Sequence, residues 1–158
     1  MLLPNLSAME TNTPPVSYRF AVVFYPSGRT PNLVDMRFQK VSGLSLEIKT
    51  HKIQEGGNNV GHAVLPSGVR APTLRLERGM VLLSPLNTEF NSTLSFFQFN
   101  PCHVMVTLLN ETCLPTAAWL FLNAFPTGWQ CSDLDANANA IMIDTFELAY
   151  QRLQVLRV

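Results

Sequence analysis

Apolar and polar residues alternate along much of the chain with the period of two that is typical of β-strands. The pattern is clearest in residues 44–49, LSLEIK, where each aliphatic residue is followed by a polar one. The same reading predicts strands at 18–24, 33–40, 74–79, 104–109, 119–125 and 141–150. In the last of these, one face is predicted to carry Met142, Asp144, Phe146, Leu148 and Tyr150.

One segment, Pro85 to Asn100, has a helical period instead. Ser84 is a candidate N-cap and Pro85 would occupy the first helical position. Apolar residues then recur at spacings of three to four: Leu86, Phe90, Leu94 and Phe97. The polar residues 91–93, NST, oppose a helix in the middle of the segment. Many short strands with one helix at most predict a mainly β fold, in which two packed antiparallel sheets form a small barrel or sandwich beside one flanking helix.

The chain is predicted to form an N-terminal arm and one domain. Residues 1–15 contain three prolines and no sustained periodicity, so we expect a flexible arm there and the folded domain at 16–158. Between two predicted strands, residues 55–62, EGGNNVGH, combine paired glycines with asparagines. This composition permits positive φ angles and does not pack a core, which indicates a long hairpin tip.

Charge is scarce in the sequence. Charged residues make up 14% of the chain, against roughly 25% in an ordinary soluble domain, while the hydrophobic fraction of 47% is ordinary. Interface cores are depleted in charge in this way, which favours self-association. A monomer with a surface rich in Ser, Thr and Asn is the alternative that composition leaves open.

Composition also argues against two other classes of protein. The formal net charge is zero and basic residues do not cluster, which speaks against nucleic-acid binding as a primary role. Apolar runs such as 117–125 are far shorter than the roughly 20 residues of a membrane span. Because the N-terminus has no basic segment followed by an apolar one, we expect synthesis and assembly in the cytoplasm.

No set of residues predicts catalysis, a metal site or a cofactor site. The three histidines are scattered and the three cysteines show no CxxC pairing. Cys102 adjoins His103, but neighbours on a strand point to opposite faces, which separates a thiol from its base. Asp144 and Glu147 are separated in the same way. We therefore expect no enzyme and reduced structural thiols.

Several motifs, taken in order, carry a family resemblance. They are YRF at 18–20, FQKVSGLSLE at 38–47, EGGNN at 55–59, LP at 65–66, LRLERG at 74–79, VTLLNE at 106–111, WLFLNAFPTGWQ at 119–130 and DLDANANAIMIDTFELAY at 133–150. Each is weak singly, but their order and spacing are specific. In these motifs the chain resembles the tail tube proteins of contractile phages and of phage-tail-like extracellular injection systems.

The resemblance implies a structural subunit of the inner tube of such a system. It implies a homohexameric ring that stacks into a hollow tube, with sheath, hub spike and baseplate proteins as further partners and an effector protein as a possible cargo of the lumen. It also implies that the hairpin tip reaches the neighbouring ring, through Glu55, Gly56, Gly57 and Asn58. The assembled particle would be a released injection system or a virion tail.

Two other functions remain as alternatives. Relatives commonly have tryptophan in the helical segment, whereas this chain has LNTEFNSTLSFFQFN from Leu86, so an altered or partly unwound helix is expected. That departure favours a specialised ring that initiates the tube on the hub spike and baseplate. A small-molecule-binding β-barrel is the remote alternative.

The family also places aromatic residues like Trp119, Phe121, Phe125 and Trp129 in or beside the core, so we expect them to pack there.

Overall fold

The structure is a computed structural model, and it describes residues 17, 19–26, 37–53, 56–57, 61–82, 84–137 and 139–157. Within these residues the chain forms nine strands and one helix. They are β1 Phe20–Pro26, β2 Lys40–Ser42, β3 Glu47–Ile53, β4 Ala63–Arg70, β5 Leu74–Gly79, α1 Pro85–Phe96, β6 Cys102–Leu109, β7 Pro115–Cys131, β8 Ile143–Ala149 and β9 Arg152–Arg157. The predicted arm, residues 1–15, lies outside the described residues, as does the first half, 33–36, of the predicted strand at 33–40. In the described half of that segment only Lys40 is in a strand.

The long strand β7 belongs to two antiparallel sheets. Its first half lies between β6 and β9, and its second half pairs with β8, which continues to β5 and β2. The strand changes sheets near Asn123, whose φ of 51° is one that asparagine tolerates better than most residues. In the described part of the chain the sheet path runs from β1 to β2 without closing. The predicted mainly β fold is confirmed, as a sandwich and not as a closed barrel.

The core lies between the two sheets. Inward side chains of β1, β5, β6, β7 and β8 fill it, including Val22, Leu74, Leu76, Val104, Phe121, Phe146 and Leu148. Phe146 is fully buried and makes edge-to-face contacts with Phe90 of α1 and with Phe38. The predicted face of the last strand is confirmed for Asp144, Phe146, Leu148 and Tyr150, which are all buried, whereas Met142 precedes β8 and is half-buried.

Helix α1 packs on the sandwich through one face. Ser84 caps it as predicted: its Oγ accepts a hydrogen bond of 3.3 Å from the backbone N–H of Asn87, and Pro85 follows. Leu86, Phe90 and Thr93 are its buried residues. Of the predicted helical segment, residues 85–96 form a regular helix that ends at Phe97 in the left-handed conformation, and residues 97–100 are not helical; whether the helix is altered relative to that of relatives stays a prediction. The polar residues that opposed it are accommodated, since Thr93 is buried and the Ser92 hydroxyl donates to the Glu89 carbonyl.

A buried arginine joins the helix to the sheets. Arg78 lies directly opposite Asp144 in the β5–β8 pairing, and both side chains are buried. Its Nη2 donates hydrogen bonds to Ser84 Oγ at 2.6 Å and to Asn87 Oδ1 at 2.9 Å. Its guanidinium carbon also lies 5.0 Å from the centre of the Phe146 ring. One side chain thus connects β5 to the helix N-terminus and to the centre of the core.

Strands β3 and β4 form a separate two-stranded ribbon, which continues from the β2 and β5 strands. Neither strand contacts any other described helix or strand, and every ribbon residue except Ala63 is exposed. The predicted alternation at 44–49 is therefore only partly confirmed: Leu44 packs against the core, but Leu46 and Ile48 are exposed. Strands β4 and β9 were not predicted, and β7 is much longer than its predicted range.

Glycine is required where the ribbon leaves the sandwich. Gly43 has a φ of 91°, and a Cβ there would lie 2.3 Å from the carbonyl oxygen of Thr73. The clash is with backbone, so a side chain at this position must displace one of the two chain segments that lead into the ribbon.

Replacing Arg78 by methionine should destabilise the protein by about 1–3 kcal/mol, because the buried Ser84 Oγ and the half-buried Asn87 Oδ1 would lose the hydrogen bonds that its guanidinium donates. The matched control is Arg75→Met. Arg75 lies opposite Glu147 in the same strand pair, but this ion pair is partly exposed and its loss should cost about 1 kcal/mol or less. Urea unfolding of the two variants measures the difference, and equal losses of stability would contradict the assigned role of Arg78.

Replacing Gly43 by alanine should cost at least about 1–2 kcal/mol, since both its φ and the Thr73 carbonyl disfavour a Cβ. Gly56→Ala is the control, because a Cβ at Gly56 meets nothing within 4 Å and its φ is not positive. Its effect should be within about 0.5 kcal/mol. Thermal unfolding at one protein concentration compares them. A Gly43 variant as stable as wild type would show that the ribbon junction adapts freely.

Candidate assembly surfaces

The candidate metal ligands and the Cys102–His103 pair are separated in the described part of the chain. Within them, no group of three or more His, Cys, Asp or Glu side chains could hold a metal ion. Cys102 is buried in the core, while His103 accepts a hydrogen bond from the backbone N–H of Asn123 at 3.2 Å through Nδ1. Burial raises the pKa of the Cys102 thiol to about 12, which opposes its use as a nucleophile. None of the described helices is long and apolar enough to cross a membrane.

The ribbon has one largely apolar face that the chain leaves uncovered. Ile48 lies directly opposite Val69, and their side chains are 68% and 65% exposed. Further along, Lys52 lies opposite the half-exposed Val64, on the same face. Two strands with no third strand or helix against them are marginally stable in water. The ribbon is therefore a surface that a neighbouring molecule would stabilise.

Two of the predicted contact residues, Gly56 and Gly57, lie at the tip of this ribbon. They form an exposed turn, and Gly57 has a φ of 98°, as the glycine-rich composition predicted. Glu55 and Asn58 lie outside the described residues. The ring-to-ring contact of these four residues stays a prediction.

The first sheet has backbone edges that can extend it. Its four strands, β1, β6, β7 and β9, are all antiparallel, and within the described ranges β1 and β9 each have one unpaired edge. Because the number of strands is even, the two edge strands run in opposite directions. One copy's β1 can therefore pair with the next copy's β9 as another antiparallel neighbour.

A second surface lies where β5 ends and β8 begins. The backbone N–H of Met80 donates a hydrogen bond of 2.9 Å to the carbonyl oxygen of Met142. The backbone N–H of Ser132 donates one of 2.9 Å to the carbonyl oxygen of Ile143. These bonds bring together the segments 80–82, 132–137 and 139–142, which we call the acidic end. Its charged residues are Asp133 and Asp135, and it has no basic residue. Its most exposed aliphatic side chains are Leu82, Leu134 and Ile141, each more than 80% exposed.

A model of the family described as T4-like virus tail tube protein gp19 matches residues 16–154. The chain belongs to this family. A search of curated protein sequences gives no significant match. The match to the family model confirms the resemblance drawn from the sequence motifs.

Solved structures of contractile injection systems contain similar chains. A chain of the anti-feeding prophage (AFP) baseplate is 39% identical, with a TM-score of 0.86 over 92% of this chain and 97% of that one. A chain of the sheath–tube complex of PVC, an extracellular contractile injection system, is 23% identical, with a TM-score of 0.80 over 99% and 100%. A chain of the PVC sheath/tube terminator is 24% identical, with a TM-score of 0.75 over 92% and 98%.

This tail tube chain also carries exposed aromatic residues at the C-terminal end of its helix. Phe96 and Phe97 are 73% and 81% exposed, and the Phe97 ring packs edge-to-face on Phe99, which in turn contacts Phe125.

The four aromatic residues expected in or beside the core differ in their burial. Phe121 is fully buried and Trp119 packs against the core. Phe125 is half-buried and Trp129 is exposed. Trp129 lies beyond the end of β6, where β7 has a strand on one side only, so the core does not cover it.

Sequence reasoning found the tip but missed the ribbon face and the acidic end. The alternation at 44–49 signals a strand with one apolar face, and it does not say whether that face is covered by the same chain. The sequence does contain one signal for the acidic end. Leu134 lies between Asp133 and Asp135, and an aliphatic residue flanked by two carboxylates is more often exposed than buried.

Alkylation with iodoacetamide should discriminate between the cysteines of the folded protein. With a pKa of about 12 against 9.0, Cys102 has about a thousandfold smaller thiolate fraction at pH 8 than an unperturbed thiol, and it is also buried. The exposed Cys113 should react first. Peptide mass spectrometry measures both rates, and in urea they should converge. A Cys102 that reacts as fast as Cys113 before unfolding would contradict its placement in the core.

Proposed function

We propose that this protein is a ring-forming structural subunit of a contractile injection system, located where the tube begins on the baseplate. The observation that carries the proposal is the difference in identity among similar chains. Identity is 39% to a chain of the AFP baseplate, against 23% and 24% to chains of the PVC sheath–tube complex and terminator. The chain is thus more similar in sequence to a chain of the AFP baseplate structure than to the chains of the PVC sheath–tube complex and terminator.

The open edges of the first sheet support ring formation. Unpaired N–H and C=O groups on an edge strand favour association, and β1 and β9 offer them on opposite sides of one antiparallel sheet. Two different surfaces on each copy give a head-to-tail contact, and such contacts close into a ring when the rotation between copies allows it. A homohexamer formed in this way surrounds a channel, with the first sheet continuing from copy to copy.

The proposed place in the particle defines the partners. The hub spike and baseplate proteins lie on one side of the ring, tube rings on the other and sheath subunits outside, with an effector protein as a possible occupant of the channel. The role is structural and involves no catalysis, which agrees with the buried Cys102 and with the separation of Asp144 from Glu147. The ring is assembled in the cytoplasm and leaves the cell as part of an injection particle.

The repeating subunit of the tube is the second candidate. It is favoured by the similarity to the PVC sheath–tube chain, which spans 99% of this chain and all of that one. A repeating subunit stacks on itself without limit, whereas an initiating ring needs a different protein on at least one side. The two functions therefore differ in what the purified protein does alone.

Negative-stain electron microscopy of the purified protein over a range of concentrations tests the proposal. We expect six-fold rings that remain single when alone and bind purified hub spike or baseplate protein. Long tubes of the protein alone would instead support the repeating subunit. A compact monomer at high concentration, also with hub protein present, would contradict both and favour the ligand-binding barrel.

A further inference from the structure

The first sheet has a core side and an open face. Val22, Val104 and Phe121 point to the core side, where the second sheet and α1 also pack. Because side chains alternate along a strand, the residues between them point the other way. Cross-strand pairing arranges these residues in three rows, which together we call the open face: Ala21, Thr107, Ala118 and Leu156; Val23, Met105, Leu120 and Gln154; and Tyr25, His103, Leu122 and Arg152.

The open face is mainly apolar, and its permanent charge is basic only. The strand segments that form it, residues 20–26, 102–109, 115–123 and 152–157, contain no Asp or Glu. Arg152 is the one residue of the three rows with a permanent charge, and it is exposed. The corresponding face of the second sheet is different, because its charges are mixed: Lys40 pairs with Glu77 and Arg75 with Glu147.

Ring closure decides where the open face points. In the proposed hexamer, six copies with four strands each give one closed sheet, whose circumference at about 4.8 Å per strand is roughly 115 Å. The second sheet of each copy also has four strands and packs about 10 Å from the first. A circle 10 Å further in has a circumference of only about 50 Å, so six second sheets cannot fit inside. They lie outside, and the open face lines the channel.

We propose that the open face binds an acidic polypeptide with apolar side chains inside the channel, and that Arg152 pairs with its carboxylates. This inference rests on the proposed function, and it names the chemical class of the channel's occupant. Six copies place six Arg152 guanidinium groups at one level of the channel, and like charges on the wall of a cleft attract a partner of opposite charge.

The apolar rows favour a polypeptide over a nucleic acid. Val23, Met105 and Leu120 lie side by side across the middle of the open face. Aliphatic side chains of a polypeptide can pack on them, and methionine adapts its shape to varied partners. A nucleic acid presents mainly phosphate to a protein surface, which would leave this row without apolar contacts.

Model peptides added to assembled rings test the contact. The probes are a short fluorescein-labelled peptide of glutamate and leucine and a matched peptide of lysine and leucine. At low salt, wild-type rings should bind the acidic peptide about tenfold or more tightly than the basic one, because salt screens the basic wall only weakly there. Arg152→Glu should abolish or reverse this preference, and Arg152→Lys should keep it. Fluorescence anisotropy measures both affinities.

Two further variants separate the open face from the rest of the surface. Arg37→Glu changes an exposed arginine outside the first sheet, so the preference should stay within about threefold of wild type. Leu120→Asn removes aliphatic surface from the middle row and should weaken the binding of both peptides. Negative-stain microscopy shows that each variant forms rings. If Arg152→Glu does not, Arg152→Gln takes its place, and the preference should again be lost.

The outcomes distinguish the contact from the function on which it rests. A wild-type protein that forms no rings would overturn the proposed function and this inference with it. Rings that bind both peptides equally, or Arg152 variants without the positive charge that keep the wild-type preference, would overturn the contact alone. A labelled single-stranded oligonucleotide that binds the rings more tightly than the acidic peptide would overturn the choice of a polypeptide.

Discussion

The fold depends on one strand that serves two sheets. Strand β7 is 17 residues long, and along one of its edges its first half pairs with β9 and its second half with β8. Because β8 and β9 follow each other directly in the chain, the bend in β7 lies opposite the junction between them. Asn123 with its positive φ and the irregular pairing after Pro126 allow β7 to do this. Because β7 is shared, the two sheets face each other, and the core and the helix site exist only as a consequence of this bend.

The same arrangement leaves backbone edges unpaired. Within the described chain, β1 and β9 end the first sheet, while β2 and the second half of β7 end the second. A closed barrel would have no such edges, and an isolated sandwich of this kind is prone to association. In a subunit that assembles in a defined way, the open edges and the uncovered ribbon are features that the neighbouring copy completes. The low charge of the chain agrees with a surface of which much becomes interface.

Local sequence signals predicted what local physics decides. The N-cap at Ser84 and the inward face from Asp144 to Tyr150 were both found, because capping and period-two alternation depend on neighbouring residues alone. The double role of β7 could not be found, since it depends on which strands lie on either side of it. The exposure of Ile48 was unpredictable for a related reason: alternation shows that a face is apolar, and it does not show which molecule covers that face. Of the candidate surfaces, the glycine turn at Gly56 and Gly57 was predicted, and the exposed apolar face of the ribbon was not.

Buried and exposed charges have different uses in this protein. Arg78 is buried inside the sandwich, where its guanidinium donates hydrogen bonds to Ser84 and Asn87 and lies over the Phe146 ring, so it fixes the helix N-terminus against β5 and β8. The exposed pairs Lys40–Glu77 and Arg75–Glu147 contribute less to stability, because water screens their charges. Exposed charges act mainly on the rate and the specificity of association.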